Sequence, residues 1–197
     1  MKHREIQDLT ISAFVLAAAF GIAISGGYAA FANPRTLALT CLIALLAVSS
    51  GFVLHEMGHR FLAKRFGCVA EFTMWPAGLV LALVSSLFGF IFAAPGAVVI
   101  RSGTDQSGNP TLTRERRGQI SIAGPSINIC LTLIFMLLDV TFPTLLFSLG
   151  AYINAWLAIF NLIPFGPLYG TAVFKWNKMV WLAVMAVSIG LFITQMS

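Results

Sequence analysis

Long hydrophobic runs dominate this chain, and short segments between them carry most of its charged residues. The clearest of these runs lie at about 10–32, 37–66, 119–140, 144–163 and 178–196. Each run has roughly the 20 residues that an α-helix needs to cross the hydrocarbon core of a bilayer. The pattern predicts an all-α polytopic membrane protein with about five transmembrane helices.

The first run, at 10–32, follows Lys2 and Arg4 and therefore resembles a signal peptide superficially. The hydrophobic part of a signal peptide is only about 7–15 residues long, and this run is longer. We expect it to be retained as the first membrane span rather than cleaved.

The segment at 76–99 is also apolar, but glycine and proline residues interrupt it, and its end at 97–100 has the composition of a strand. If it enters the membrane and returns to the same side, nearly all loop cations face the cytoplasm and only Arg35 lies outside, as the positive-inside rule requires. If it crosses, the arginine-rich loop moves outside against that rule. A re-entrant segment is therefore favoured, and six spans are the alternative.

Composition agrees with this pattern, because 58% hydrophobic residues, 10% charged residues and a mean hydropathy of +0.90 leave too little polar surface for a soluble globule. We predict one membrane-embedded domain at 1–197 with a polar loop at 101–118. The net charge is +5, but the cations lie in short clusters between apolar runs rather than along a stripe. Nucleic acid is therefore excluded as a partner, and the lipid bilayer is the expected environment.

The run at 37–66 contains an H-E-x-x-H motif, His-Glu-Met-Gly-His at 55–59. Two histidines four residues apart lie on one face of a helix, where both imidazoles can hold a single Zn²⁺. The glutamate between them is placed to take a proton from a zinc-bound water. A zinc-hydrolase motif inside an apolar helix predicts hydrolysis within the bilayer.

Two further motifs follow in the later apolar runs. Gly-Pro-Ser-Ile-Asn occurs at 124–128, and Asn-Leu-Ile-Pro-Phe-Gly-Pro-Leu-Tyr-Gly occurs at 161–170. Together the three motifs resemble the site-2 protease family of intramembrane zinc metalloproteases, over a protease core at about 37–174. The resemblance implies a re-entrant β-loop after the H-E-x-x-H helix, which agrees with the topology that the charges favour.

The resemblance also implies roles for individual residues. His55 and His59 correspond to zinc ligands, Glu56 to the general base, and Asn161 to a polar group near the substrate carbonyl or its oxyanion. An asparagine within an apolar span is costly unless its amide is satisfied, so Asn161 is either a packing residue or a site residue. For Asn128 the packing interpretation is favoured.

One position departs from the family pattern. The third motif normally reads Leu-Asp-Gly with the aspartate as third zinc ligand, and here Tyr169 replaces the aspartate. Tyr169 is a candidate ligand as a phenolate, because nearby zinc would lower its pKa, and the alternative is an aromatic residue at the membrane boundary. Four other side chains have no spacing that recommends them as ligands: Cys68, Glu71, Asp105 and Glu115.

The sequence thus predicts an intramembrane zinc metalloprotease that hydrolyses peptide bonds in transmembrane protein substrates. One alternative is a catalytically impaired site-2-protease-like protein that binds transmembrane helices. A weaker alternative is a small transporter, which the lack of inverted halves disfavours. The expected location is a prokaryotic cell membrane with the N-terminus in the cytoplasm. The sequence names neither the substrate nor the oligomeric state.

Overall fold

The computed structural model describes residues 2–104, 108, 110–166 and 168–196 of the chain. These residues form helices and one two-stranded sheet. In chain order the elements are α1 (His3–Ile24), a 3-10 helix (Gly27–Ala32), α2 (Pro34–Arg65), β1 (Val69–Met74), α3 (Pro76–Ser86), β2 (Gly96–Arg101), α4 (Arg114–Thr141), α5 (Leu145–Leu162), α6 (Tyr169–Trp176) and α7 (Lys178–Ile193). Asp105, a ligand candidate, and Pro167, part of the third motif, lie outside the described residues.

Four of the helices in the described part of the chain, α1, α2, α4 and α5, are long and apolar enough to cross a membrane. Two further apolar helices are shorter, with 11 residues in α3 and 16 in α7. Long apolar helices with a small sheet give the architecture of a polytopic membrane protein, as the hydrophobic pattern predicts.

The first helix begins at His3, earlier than the hydrophobic run at 10–32 predicts. Its first turns carry Glu5 and Asp8, and both acidic side chains are buried in the protein rather than exposed to water. Glu5 pairs with Arg60 on α2. The hydrophobic pattern did not predict the N-terminal end of α1, because the partners of these carboxylates come from distant parts of the chain.

The helix that carries H-E-x-x-H has clear signals at both ends. Asn33 Oδ1 accepts a hydrogen bond from Thr36 N at 3.3 Å, and Pro34 occupies the first turn, where a missing N–H costs nothing. Gly67 follows the helix with a φ of +71°, a conformation that favours glycine. The resulting 32-residue α2 is long enough to carry the motif well inside the bundle.

The two strands bring the segment at 76–95 back to where it started. β1 and β2 pair antiparallel in a register that runs from Val69↔Arg101 to Met74↔Gly96. Trp75 N donates to Pro95 O at 2.8 Å and extends the ladder by one position. Between these strands α3 has only 11 residues, too few to cross a bilayer alone. The geometry agrees with the re-entrant interpretation.

Candidate metal centre

His55, Glu56 and His59 lie on the buried face of α2, and none is more than 3% exposed. The four-residue spacing places the two imidazoles one helical turn apart on the same side. Their Nε2 atoms are 3.0 Å apart, and the rings meet edge to face. The structure therefore brings together both predicted zinc ligands and the predicted general base.

Hydrogen bonds define which nitrogen of each imidazole carries a proton. His55 Nδ1 lies 2.5 Å from Asn128 Oδ1, and His59 Nδ1 lies 2.6 Å from Ile120 O. Both oxygen atoms are acceptors, so both Nδ1 atoms donate, and in the neutral rings the Nε2 lone pairs face each other. Two such lone pairs repel unless a cation lies between them. Zinc bonds of about 2.0–2.1 Å can join nitrogen atoms at this separation, so the pair fits Zn²⁺.

Asn128 orients His55 through a network of amides that spans three helices. Its Nδ2 donates to Asn154 Oδ1 on α5 at 2.9 Å and to Gly51 O on α2 at 3.3 Å. Asn154 Nδ2 in turn donates to Gly150 O at 2.9 Å. The favoured packing interpretation of Asn128 was therefore incomplete, because the side chain that joins these helices also holds an imidazole.

Asn154 was missed in the sequence, although an asparagine in an apolar run was a usable signal. The close approach of α4 depends on Gly124 in the second motif. A Cβ at this position would lie 2.6 Å from His55 Nε2, closer than a non-bonded contact permits. Glycine therefore lets α4 lie directly against the imidazoles.

Glu56 lies beside the point where the imidazoles converge. Its Oε1 is 4.0 Å from His55 Nε2, and its Oε2 accepts a hydrogen bond from the Tyr169 hydroxyl at 3.1 Å. A cavity of about 10 Å³ adjoins Glu56 and His55, which is space for about one water molecule. The carboxylate is thus placed to take a proton from a water in that space.

Tyr169 lies inside the site rather than at an exposed boundary, since it is only 8% exposed. Its ring stacks on His59 with centroids 3.8 Å apart. Its hydroxyl donates to Glu56 and accepts from Val98 N at 2.8 Å. Burial raises the pKa of the Tyr169 hydroxyl well above its usual range, and the Glu56 carboxylate adds to that rise. The residue at the family's aspartate position is therefore a protonated phenol bonded to the base.

The other ligand candidates lie elsewhere. Among the described residues, no three His, Cys, Asp or Glu side chains are grouped so that they could hold a metal ion. Several of these acidic and thiol groups have other partners: Cys68 bonds with Thr111, Glu71 with Lys2, Glu115 with Gln119, and Asp139 with Thr144 N. No carboxylate or thiol among them replaces the missing aspartate.

Asn161 lies near the end of α5, in the wall of two cavities. One is the small cavity beside Glu56, and the other is an apolar cavity of about 210 Å³ bordered by β2 and Tyr169. Asn161 Nδ2 donates to Leu157 O at 2.9 Å, within its own helix. The residue is therefore near the reacting groups but anchored to its own backbone.

Comparison with known proteins adds an independent finding. The family model described as Peptidase family M50 matches residues 43–144. A protein of Methanocaldococcus jannaschii named "putative zinc metalloprotease" is 40% identical over 188 residues, which cover 92% of this chain and 89% of that protein. No solved structure matches significantly. The matched residues include His55, His59 and Asn128 but end before Asn161 and Tyr169.

Proposed function

The chain belongs to the site-2 protease family, peptidase family M50, and from that premise we propose that it hydrolyses peptide bonds in transmembrane segments of membrane proteins. One observation supports this most strongly. Two Nε2 atoms converge to 3.0 Å beside a buried carboxylate, on a helix apolar enough to cross a membrane. Buried ionisable groups in such a helix are costly, so a functional role is the expected reason for them.

His55 and His59 would hold zinc through Nε2, whereas the Tyr169 hydroxyl, at the position of the family's aspartate, donates to Glu56 instead of serving as a third ligand. Bound zinc would supply Lewis acidity and lower the pKa of a water molecule. Glu56 takes a proton from the water in the adjoining small cavity and delivers it to the leaving amine. Asn161, in the wall of that cavity, would donate to the substrate oxygen as negative charge develops.

The outer edge of β2 is the proposed place where substrate binds in extended form. Because Trp75 N donates to Pro95 O across the ladder, alternation places the N–H groups of Gly96, Val98 and Ile100 on the opposite, outer edge. A peptide that unwinds next to this edge can pair with it as a third strand. The apolar cavity of about 210 Å³ lies alongside and can receive its side chains.

Proline substitutions test this edge. Val98→Pro removes an outer N–H and leaves the β1–β2 ladder bonds, whereas Val99→Pro removes a ladder bond. We expect cleavage to fall in both variants, and protein stability to fall mainly in Val99→Pro. Unchanged cleavage at normal expression would exclude strand addition.

We also propose the membrane arrangement. The 16-residue α7 would serve as a fifth span, and the N-terminus would lie in the cytoplasm, because that orientation keeps most loop cations on the cytoplasmic side. Residues 1–197 would act as one membrane-embedded unit in a prokaryotic membrane. The Methanocaldococcus jannaschii relative is archaeal.

The proposal is tested on purified protein that has not been exposed to a chelator. The measurements are its zinc content and its cleavage of a generic transmembrane substrate. The parent chain should hold about one zinc and cleave. Glu56→Gln should keep the zinc, and its cleavage rate should be about 10²–10⁴-fold lower, because only the base is removed. Tyr169→Asp should bind zinc more tightly, since it restores a carboxylate ligand.

A second candidate function follows from the missing third ligand. Because no three His, Cys, Asp or Glu side chains of the described residues are grouped so that they could hold a metal ion, the chain is also a candidate for an impaired relative that binds transmembrane helices without cleaving them. In that case cleavage would appear in Tyr169→Asp and be absent from the parent.

A further inference from the structure

We propose that the Tyr169 hydroxyl is a latch, through which binding of an extended peptide at the outer edge of β2 releases the Glu56 carboxylate. This inference rests on the proposed function, because it takes Glu56 as the base and β2 as the docking edge. It makes Tyr169 a gating residue that senses substrate.

The latch is visible as two hydrogen bonds that share one oxygen atom. The Tyr169 hydroxyl accepts from Val98 N at 2.8 Å and donates to Glu56 Oε2 at 3.1 Å. A hydroxyl has a single proton, and here that proton is committed to Glu56. One oxygen atom therefore covers the outer N–H of Val98 and hydrogen-bonds the carboxylate of Glu56 at the same time.

An incoming strand competes directly with this hydroxyl. Antiparallel or parallel pairing requires a substrate carbonyl to accept from the outer N–H of Val98, which is the position that the Tyr169 oxygen now fills. The oxygen cannot leave Val98 to make room without also moving relative to Glu56. Displacement thus frees a carboxylate oxygen to accept the proton of a water molecule in the adjoining cavity.

The surroundings give the ring somewhere to move. Tyr169 lines the apolar cavity of about 210 Å³ together with Asn161, Leu168 and Ala97. It is the first residue of α6, and Gly166, three residues earlier, has a φ of +58°. The latch therefore lies at the start of a helix, with its ring packed on His59 on one side and bordering the apolar cavity on the other.

Without substrate, the Tyr169 hydroxyl keeps Glu56 Oε2 hydrogen-bonded and covers the N–H of Val98 on the outer edge of β2. Water beside Glu56 then meets a carboxylate that already accepts a hydrogen bond from a phenol. Hydrolysis is expected to begin only when a peptide lies on the edge. Such coupling limits cleavage to segments that can unwind and pair with β2.

The test uses the full chain in detergent in the Glu56→Gln background, so that nothing is cleaved. The probe is a fluorescent synthetic peptide of about 20 residues, rich in Leu and Ala with a central Gly-Gly pair that weakens the helix. Adding Tyr169→Phe removes only the hydroxyl and should tighten binding about threefold to tenfold, because one competing hydrogen bond is lost. Tyr152→Phe, whose ring packs on Phe192, is the matched control and should change nothing.

Amide hydrogen exchange gives a second readout without peptide. In Tyr169→Phe the Val98 amide should exchange about tenfold faster, whereas the Ala97 and Val99 amides, which face β1, should keep their rates. A purely structural role for the hydroxyl would instead lower the thermal midpoint and raise the exchange rates of all three amides.

Three results would contradict the latch. The first is peptide binding in Tyr169→Phe that is no tighter than in the Glu56→Gln protein with Tyr169 intact, which includes the case in which neither protein binds the peptide. The second is an unchanged exchange rate of the Val98 amide, and the third is loss of zinc from Tyr169→Phe, since the hydroxyl would then be a zinc ligand. The proposed function fails separately, on zinc content and cleavage of the parent chain, because binding and exchange here are measured without cleavage.

Discussion

The site has two halves that are built differently. The metal half, His55 and His59 with Asn128 and Asn154, lies within the long helices α2, α4 and α5, and amide and carbonyl groups fix its orientation. The peptide half, Val98, Asn161 and Tyr169, lies on a strand edge and at helix ends around an apolar cavity. The difference is that hydrogen bonds between packed helices hold the metal half, whereas the peptide half borders a cavity.

The two halves also differ in how they relate to the family. The match to Peptidase family M50 includes three of the four residues of the metal half, but it ends before Asn161 and Tyr169. The replacement of the family's aspartate falls in the peptide half, at Tyr169. The departure therefore occurs in the half that would handle substrate, although the residue it replaces would have bound metal.

The largest expected effect follows from removing a ligand in the metal half. His59→Ala should reduce zinc from about one per chain to almost none, and cleavage should be lost with it, because a single imidazole cannot retain the ion. His3→Ala is the control, since His3 lies exposed at the start of α1. Zinc is measured by elemental analysis, and equal zinc in both variants would remove His59 from the metal half.

A large effect of a different kind is expected in the peptide half. Asn161→Ala should lower kcat about 100-fold, because a donor near the developing oxyanion is lost, while zinc content stays unchanged. Steady-state cleavage and elemental analysis are measured on the same preparation. Loss of zinc in this variant would mean that the two halves are not separable, and unchanged cleavage would leave Asn161 as a packing residue.

A smaller effect should follow when the support of the metal half is weakened. Asn128→Leu removes the acceptor of His55 Nδ1 and should weaken zinc binding about 10–100-fold. Asn154→Leu acts one bond further away and should weaken it less. Competition with a zinc chelator measures the zinc affinity of both variants. A larger loss of affinity in Asn154→Leu than in Asn128→Leu would contradict the idea that Asn154 acts on His55 through Asn128.

Local signals predicted much of the fold. The capping residue Asn33 and the glycine after Arg65 define α2, and the charge pattern favoured the return of the segment at 76–95. The sequence did not predict that α1 begins at His3, because burial of Glu5 and Asp8 depends on Arg60 and on β1. In the sequence alone, buried polar residues resemble an exposed segment next to a helix, because the distant groups that bond with them are not visible there.

The site was predictable to a similar extent. The H-E-x-x-H spacing and the two later motifs identified the residues that the structure brings together. They did not reveal Asn154 or the carbonyl of Ile120 as supports, because pairing between helices leaves no fixed spacing in a sequence. The double contact of the Tyr169 hydroxyl was equally hidden, since it depends on the register of β2.

The two outer edges of the sheet repeat this contrast at a smaller scale. On β1, Phe72 N donates to Glu5 and Met74 N donates to Asp8, so carboxylates from α1 close that edge. On β2 the corresponding bond from Val98 goes to one neutral hydroxyl. Charged acceptors bind more strongly than neutral ones, so the edge beside Glu56 is the easier one to open.

X-ray absorption at the zinc edge, on purified protein supplied with ample zinc, tests the metal centre most directly. We predict bound zinc with two imidazole nitrogen atoms at about 2.0–2.1 Å and the remaining positions filled by oxygen atoms. In His59→Ala that signal should be lost. A well-folded sample without zinc, or zinc without imidazole ligands, would contradict a metal centre at His55 and His59.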